Sequence, residues 1–175
     1  MAPGGGYGPD GPLLMFARVA VENRGGTTQA VAWDFSNAPE DTQQRQQVVA
    51  QVEAAADDLT AATGAAPLLI GKSLGSLSAP VAADRALPAV WFTPLLRDEQ
   101  TVAALRRATA PALLVGGAAG KFWDGQVARS LSPYVLEIPE ADHGMFVPGP
   151  LAAAAAVLGT VITAVEHFLD EVVWP

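Results

Sequence analysis

Residues 67–75 read Pro-Leu-Leu-Ile-Gly-Lys-Ser-Leu-Gly, a short apolar run that leads directly into a serine flanked by glycines. The run has the length of a buried strand and is bounded by Pro67 and Gly71, and the small residues after Gly75 are compatible with a helix. Strand, sharp turn and helix is the context in which Gly-x-Ser-x-Gly exposes a serine hydroxyl. A helix-capping serine in an ordinary strand-to-helix turn is the alternative. Because the pattern arises by chance in roughly one such chain in twenty, the rest of the sequence has to support the interpretation.

Outward from this stretch, apolar strands alternate with segments of helical pattern. We predict strands at 29–35, 67–70, 89–92, 112–115 and 134–138, and helices at 13–24, 37–63, 98–108, from about 126, and at 151–173. For the first helix, a strand with a hairpin turn at 23–26 remains an alternative. Strands without a polar face predict a mostly parallel sheet that is covered on both sides. The expected fold is α/β, a single three-layer α/β/α domain over residues 1–175, with ligands at the carboxyl ends of the strands.

Composition and charge exclude several classes of protein. The chain has 18 acidic and 10 basic residues, a formal net charge of −8, and no basic stripe, so we expect neither nucleic acid nor a membrane as a partner. It has no cysteine and two histidines, which argues against disulfides, a cysteine nucleophile and thiolate metal sites. We expect no metal and no cofactor. The substrate is then a small molecule, and the oligomeric state stays open.

No targeting segment is recognisable. Residues 1–10 lack the basic and apolar regions of a secretory leader. The longest uncharged apolar stretch, 151–165, has fifteen residues and is short for a membrane span of ~20 residues. We therefore expect this stretch to be a C-terminal helix packed on the core, and we expect the protein to be cytoplasmic.

Three other glycine motifs resemble nucleotide-binding sequences. Residues 71–73 and 120–121 each carry the Gly-Lys end of a P-loop, but neither has the glycine that this loop requires five residues earlier. Residues 6–11 read Gly-Tyr-Gly-Pro-Asp-Gly and match the dinucleotide-binding pattern, and Asp34 follows them at the distance of a ribose ligand. A proline interrupts these glycines and no full strand precedes them. A dinucleotide-binding domain is therefore kept as the weaker alternative.

A reactive serine needs a base, and only two histidines are present. His167 lies in the predicted C-terminal helix among apolar residues, where a structural or surface role is expected. His143 follows the last predicted strand in the sequence Ala-Asp-His-Gly. The loop that contains it lies at the edge of the sheet where ligands bind. His143 is therefore the candidate general base.

With Ser73 in Gly-x-Ser-x-Gly and His143 in Ala-Asp-His-Gly near the carboxyl end, nearly the whole chain resembles the α/β-hydrolase superfamily in its small, capless form. The resemblance implies that Ser73 is the nucleophile and His143 the general base. It implies an oxyanion hole made by the amide of Leu74 and an amide of the glycine loop formed by Gly5, Gly6 and Tyr7, because residues without bulk let an amide approach the developing charge. Lys72 and Ser76 fill variable positions of the motif and receive no role.

The third member of the triad is the point at which the sequence departs from this family. The loop after the next-to-last strand often ends in an aspartate, and this chain has Gly120 at that position. Asp124 is the nearest substitute and our preferred acid, although it also suits the cap of the following helix. Asp98, after the preceding strand, is the second candidate. Asp142 directly precedes His143 and is badly placed to orient its ring.

The amino-terminal part also departs from the family, whose sheet has about eight strands against the five predicted here. The strand that feeds the glycine loop is reduced to residues 1–3, and it normally lies between the strands at 29–35 and 67–70. Either the chain starts late or those two strands pair directly. The preferred function is a serine hydrolase of ester-like substrates with small acyl groups. A non-catalytic binding protein of the same fold is the alternative.

Overall fold

Four parallel strands, in the order β1-β2-β3-β4, form the sheet of the computed structural model, which describes residues 1–35 and 40–175. The strands are β1 (Leu69–Lys72), β2 (Ala89–Phe92), β3 (Ala112–Gly117) and β4 (Tyr134–Ile138). The helices are α1 (Pro12–Glu22), α2 (Asp41–Thr63), α3 (Ala79–Asp84), α4 (Glu99–Arg107), α5 (Gly125–Leu131) and α6 (Leu151–Phe168). A 3₁₀ helix, Ser73–Ser78, joins β1 to α3, and a π-helical turn, Leu169–Val173, extends α6.

The helices cover both faces of the sheet, as the apolar strands predict. Successive strand residues point to opposite faces. Val90 and Phe92 pack with α1 and α6, whereas Ala89 and Trp91 pack with the layer of α2, α3, α4 and α5. The predicted three-layer α/β/α architecture is therefore confirmed, and the parallel sheet collects the loops after its strands at one edge.

The amino-terminal residues lie in the place that the resemblance to α/β-hydrolases predicts for the strand that feeds the glycine loop. Ala2 forms a parallel bridge with Gly71, donating to the Ile70 carbonyl at 2.8 Å and accepting from the Lys72 amide at 2.9 Å. On its other side, the Met1 carbonyl accepts from the Val31 amide at 3.0 Å. Residues 1–2 therefore separate 29–31 from β1, and the two do not pair directly.

Several predicted boundaries are corrected. Residues 29–35 were predicted to be a strand, but none of them belongs to a strand. Within the described part of the chain, the backbone groups of Gln29 and Val31 bond only to Met1, and this ladder is too short to form a strand. The predicted helix start at 37 lies outside the described residues; α2 begins at Asp41 and ends before Gly64, whose φ of 71° suits its position as the left-handed cap. Residues 12–22 are helical, so the hairpin alternative is wrong.

The closing helix is longer than its uncharged core. The helical segment Leu151–Val173 has 23 residues and a mean hydropathy of 1.7, which by length and composition is enough to cross a membrane, and 17% of its most apolar window is buried. The expectation that this segment is too short for a span is therefore wrong. Its buried residues, Val161, Val165 and Phe168, pack in the same core as α1.

Candidate active site

Ser73 stands at the sharp turn after β1 in a strained backbone conformation. Its φ is +50°, in the left-handed region that non-glycine residues rarely adopt. The hydroxyl of Ser76 stabilises the turn, because it donates to the Ser73 carbonyl at 2.6 Å and accepts from the Leu95 amide at 3.1 Å. Strand, strained serine and helix follow one another as the Gly-x-Ser-x-Gly pattern predicts.

The two glycines of the motif are required by close approach. A Cβ on Gly75 would lie 2.1 Å from the Ala2 carbonyl oxygen, and a Cβ on Gly71 would lie 2.5 Å from the Trp91 ring. Neither position therefore accepts a side chain without displacement of its neighbour. The turn is packed against the backbone of residues 1–2 on one side and against β2 on the other.

The structure brings the two predicted residues together across 70 positions of sequence. His143 Nε2 lies 2.8 Å from Ser73 Oγ, within the range of a nucleophile and its general base. Asp142 shapes the histidine loop, since its Oδ1 accepts from the amides of Gly144 at 2.7 Å and Phe146 at 2.9 Å. The Phe122 ring meets the imidazole edge-on, with 5.1 Å between centroids.

The surroundings of His143 keep its imidazole neutral. Burial, followed by the positive charges of Lys72 and Lys121, lowers the pKa of His143 from 6.5 to about 4, while the Asp142 carboxylate opposes this change. At neutral pH the ring is therefore unprotonated and able to accept a proton at Nε2. The same charges disfavour the imidazolium that proton transfer would create.

Both candidate acids cap helices instead of contacting His143. Asp124 Oδ1 accepts from the amides of Gln126 and Val127, each at 3.0 Å, at the start of α5. Asp98 accepts from the Thr101 amide at 2.7 Å and pairs with Arg45 at 2.7 Å. Within residues 1–35 and 40–175, no carboxylate hydrogen bonds to the His143 ring. The choice of Asp124, with Asp98 as the second candidate, is thus not supported by contact.

Gly120 lies beside the main chain of His143. A Cβ placed on Gly120 would be 3.5 Å from the backbone nitrogen of His143 and 3.6 Å from its Cα. The same Cβ would be 3.0 Å from the Gly117 carbonyl oxygen, which is a tight contact. The sequence position at which α/β-hydrolases often carry aspartate is therefore close to the His143 main chain, and glycine occupies it here.

The glycine loop lies against the serine turn. A Cβ on Gly5 would contact the Leu74 side chain at 3.7 Å, so the loop and the first residues of the 3₁₀ helix are neighbours. The Leu74 amide belongs to the first turn of that helix, where amides have no partner inside the helix. The Tyr7 amide donates to the Gly4 carbonyl at 3.4 Å and is turned into its own loop. Of the predicted donors, the Tyr7 amide is therefore already engaged, and the amides of Leu74, Gly5 and Gly6 remain the candidates.

Lys72, like Ser76, received no role in the sequence analysis, yet it lies in the candidate site. Its side chain is buried, with 4% of the residue exposed. Its Nζ donates to the His143 carbonyl at 3.1 Å and lies 5.1 Å from the centre of the Tyr7 ring. Burial lowers the pKa of Lys72 to about 8, against the opposing charge of Asp142. The only signal in the sequence was its position between Gly71 and Ser73, and variable positions of this motif carry no fixed orientation.

An apolar pocket opens beside the histidine loop. It has a volume of about 230 Å³ and extends between the glycine loop, α1 and α6. The lining residues are Tyr7, Pro12, Leu13, Gly144, Met145, Phe146, Leu151, Ala154, Ala155 and Leu158. Gly144 and Met145 directly follow the candidate base, and the Tyr7 ring lies over Lys72. The pocket therefore adjoins the Ser73–His143 pair and offers an apolar surface to part of a ligand.

Tyr7 also occupies the place that the dinucleotide alternative requires. Its hydroxyl accepts from the Leu13 amide at 2.8 Å, at the amino end of α1, where the pyrophosphate would bind. Its ring covers Gly11, on which a Cβ would lie 2.4 Å from the ring.

Among the described residues, no group of three or more metal-ligating side chains that could hold an ion occurs.

Comparisons with solved structures identify the fold. A candidate hydrolase of the α/β superfamily from Xanthomonas campestris is 22% identical, with 98% of this chain and 96% of that chain covered and a TM-score of 0.72. An α/β serine hydrolase without a lid from the same organism is 18% identical, with 94% and 75% covered and a TM-score of 0.62. An esterase domain from Rhodothermus marinus is 15% identical, with 89% and 80% covered and a TM-score of 0.57. No family model and no curated protein sequence matches the chain.

Proposed function

We propose that this chain, which has the minimal, capless α/β-hydrolase fold, is a serine hydrolase that cleaves ester-like substrates through an acyl-enzyme on Ser73. The carrying observation is the 2.8 Å contact between Ser73 Oγ and His143 Nε2 at a serine whose φ is +50°. The neutral imidazole and the loop amides beside Leu74 support this assignment. The fold is shared with structures described as serine hydrolases and as an esterase.

The proposed reaction needs no group beyond this chain and water. His143 Nε2 takes the proton of the Ser73 hydroxyl while Oγ forms a bond to the substrate carbonyl carbon. The amide of Leu74 and one from Gly5 or Gly6 donate to the oxyanion. When the intermediate collapses, the carbon–oxygen bond to the alcohol breaks, and the alcohol leaves with the proton from His143. Water then attacks the acyl-enzyme with His143 again as the base, releasing the acid and free Ser73.

The pocket beside the histidine loop supports substrates with a small apolar acyl group. Its volume of about 230 Å³ is below the ~300–1,000 Å³ of pockets for drug-sized ligands. Its walls, which include Leu13, Met145 and Leu158, are apolar. Only residues 93–98 separate β2 from α4, so the site has no inserted cap there and stays open. We propose that the substrate is a small molecule in the cytoplasm and that no cofactor takes part.

A non-catalytic binding protein of the same fold is the second candidate, and Gly120 favours it. Removing the triad carboxylate of a serine protease costs about 10⁴ in kcat, although catalysis over water survives. The arrangement here has no carboxylate on the imidazole within the described residues. The two candidates therefore differ in whether Ser73 reacts.

Covalent labelling separates the two candidates. The purified protein is treated with a fluorophosphonate probe, and hydrolysis of p-nitrophenyl acetate, butyrate and octanoate is measured in parallel. Labelling is expected at Ser73, with loss in Ser73→Ala and His143→Gln. The matched control is Ser130→Ala, which changes an exposed serine on α5 and leaves the serine turn and the nucleophile in place. An unlabelled wild-type protein that is shown to be folded would exclude the enzyme and leave the binding protein.

A further inference from the structure

The burial of the Lys72 ammonium is unfavourable for folding. Taking an ammonium out of water costs free energy unless hydrogen bonds or opposite charge compensate. Lys72 is 4% exposed, and its Nζ contacts one carbonyl and the face of one ring. A methionine of similar length would fill the same space without that cost. Stability therefore does not explain why a charged residue stands here, and we look for its role in the candidate active site.

The side chain of Lys72 spans three loops of the candidate active site. It starts at the last residue of β1, next to Ser73, and its Cδ passes the glycine loop, since a Cβ on Gly4 would lie 3.2 Å from it. It crosses the Tyr7 ring with Nζ 5.1 Å from the ring centre. It ends on the main-chain carbonyl of His143 at 3.1 Å. One side chain, that of Lys72, thus contacts the serine turn, the glycine loop and the histidine loop.

The main chain of His143 is held by side-chain hydrogen bonds, and its ring has no carboxylate partner among the described residues. In a serine triad, a carboxylate at Nδ1 orients the imidazole. Here no carboxylate of the described residues contacts the ring, while Lys72 binds the His143 carbonyl and Asp142 Oδ1 accepts from the amides of Gly144 and Phe146. These bonds fix the main chain directly after the histidine. A fixed main chain limits where the imidazole can lie, and the ring itself contacts Ser73 Oγ and the Phe122 ring.

We propose that Lys72 is a positioning residue that fixes the His143 loop against the serine turn and so aims Nε2 at Ser73 Oγ. The proposal rests on the proposed function, for which it supplies the orienting element that the missing carboxylate would otherwise provide. Lys72 acts through the His143 main chain and does not contact the reacting atoms.

The test measures two effects of Lys72→Met: a change in the pKa of His143 and a change in the rate at which Ser73 is labelled. The charged groups that face His143 are Lys72 from β1, Lys121 from the loop after β3 and Asp142 from its own loop. Removal of the Lys72 charge is expected to raise the pKa of His143, measured by NMR titration of the imidazole. Loss of the tether is expected to slow fluorophosphonate labelling roughly 10- to 100-fold, the scale of a small misplacement of a catalytic group.

The controls separate position from charge and from folding. Lys121→Met also removes a positive charge near His143 but no hydrogen bond to its carbonyl, so it is expected to raise the pKa without slowing labelling. Lys72→Arg keeps a cationic donor and is expected to restore labelling in part. A thermal melt shows whether each variant is folded. A folded Lys72→Met protein that labels as fast as the wild type would overturn the proposal, because the charge alone would then explain the residue.

A readout without catalysis distinguishes failure of this inference from failure of the proposed function. If the wild type is not labelled, the contact between Ser73 Oγ and His143 Nε2 can still be detected. The measurement is the change that Ser73→Ala causes in the NMR signals of His143. That effect is expected to be large in the wild-type background and lost in Lys72→Met. Equal effects in the two backgrounds would refute the positioning role, whatever the outcome for hydrolysis.

Discussion

Replacing Gly120 with aspartate is expected to give His143 a carboxylate partner and to turn a serine–histidine pair into a triad. The position is favourable because a Cβ there lies 3.5 Å from the His143 backbone nitrogen. The cost is the 3.0 Å approach to the Gly117 carbonyl oxygen, which has to give by a few tenths of an ångström. The backbone of Gly120 has an ordinary φ, so a side chain adds no left-handed strain.

The size of the effect follows from the charges around the imidazole. In the wild type, burial and two lysines hold the pKa of His143 at about 4. A carboxylate in hydrogen-bonding contact raises the pKa of a cationic acid by about 1–3, so the acid limb of the kcat/KM profile is expected to move up by that many pH units. The stabilised imidazolium is expected to raise kcat at least ~10-fold, with ~10⁴ as the ceiling set by removal of a natural triad carboxylate.

The assay is the pH dependence of kcat/KM for p-nitrophenyl acetate, supported by NMR titration of His143. Gly120→Asn has nearly the same shape without the charge and is expected to leave the acid limb in place. Gly120→Ala measures the steric cost alone through its melting temperature. If folded Gly120→Asp leaves both the acid limb and kcat at wild-type values, the identification of Gly120 as the vacant carboxylate position is refuted.

Four further outcomes are expected. Asp124→Asn keeps a good cap on α5 and should leave labelling of Ser73 unchanged, while Asp124→Ala should cost about 1 kcal/mol of stability; loss of labelling in the asparagine variant would restore this residue as the acid. Gly75→Ala forces a Cβ to within 2.1 Å of the Ala2 carbonyl oxygen and should destabilise by about 1–3 kcal/mol, visible as a lower melting temperature and lost labelling. Gly159→Ala, on α6 with no atom within 4 Å of the new Cβ, should stabilise by about 1 kcal/mol; a lower melting temperature would contradict the exposed setting. Folding lowers the pKa of His143 from 6.5 to about 4, so its contribution to stability is present above pH 6.5 and is lost as pH falls towards 4. Denaturant melts of His143→Gln should therefore show a smaller loss of stability between pH 6.5 and 4 than melts of the wild type. Equal losses would refute the burial of this imidazole.

The parts of the fold that were predictable have strong local signals. The strands at 89–92 and 134–138 are confirmed to the residue, because proline, glycine or polar residues bound short apolar runs there. Residues 29–35 carry the same apolar signal without forming a strand, since composition reports burial but not which backbone groups find partners. Asp124 caps the helix that follows it, as the sequence suggested, whereas Asp98 was predicted inside the first turn of its helix and is the cap before it.

The sequence predicted the reacting residues of the candidate site, but it did not predict the residue that contacts the loops around them. Ser73 and His143 each stand in a local pattern that marks a loop at the carboxyl edge of a parallel sheet, and the structure places them in contact. Lys72 has no such pattern, because the direction of its side chain depends on the glycine loop and the histidine loop, which approach it from distant parts of the chain. Such contacts arise from tertiary packing and leave no periodic trace in sequence.

The bridge between Ala2 and Gly71 has a consequence for the order of folding. It joins residues 69 positions apart, and contacts of such separation form late because the loop between them must close first. The carbonyl of Ala2 is also the group against which Gly75 packs. The strained serine turn is therefore completed only when the amino-terminal residues dock. Detachment of these few residues, with the rest of the sheet intact, should open the turn and silence Ser73 well before global unfolding, as an early phase in hydrogen exchange at the Lys72 amide.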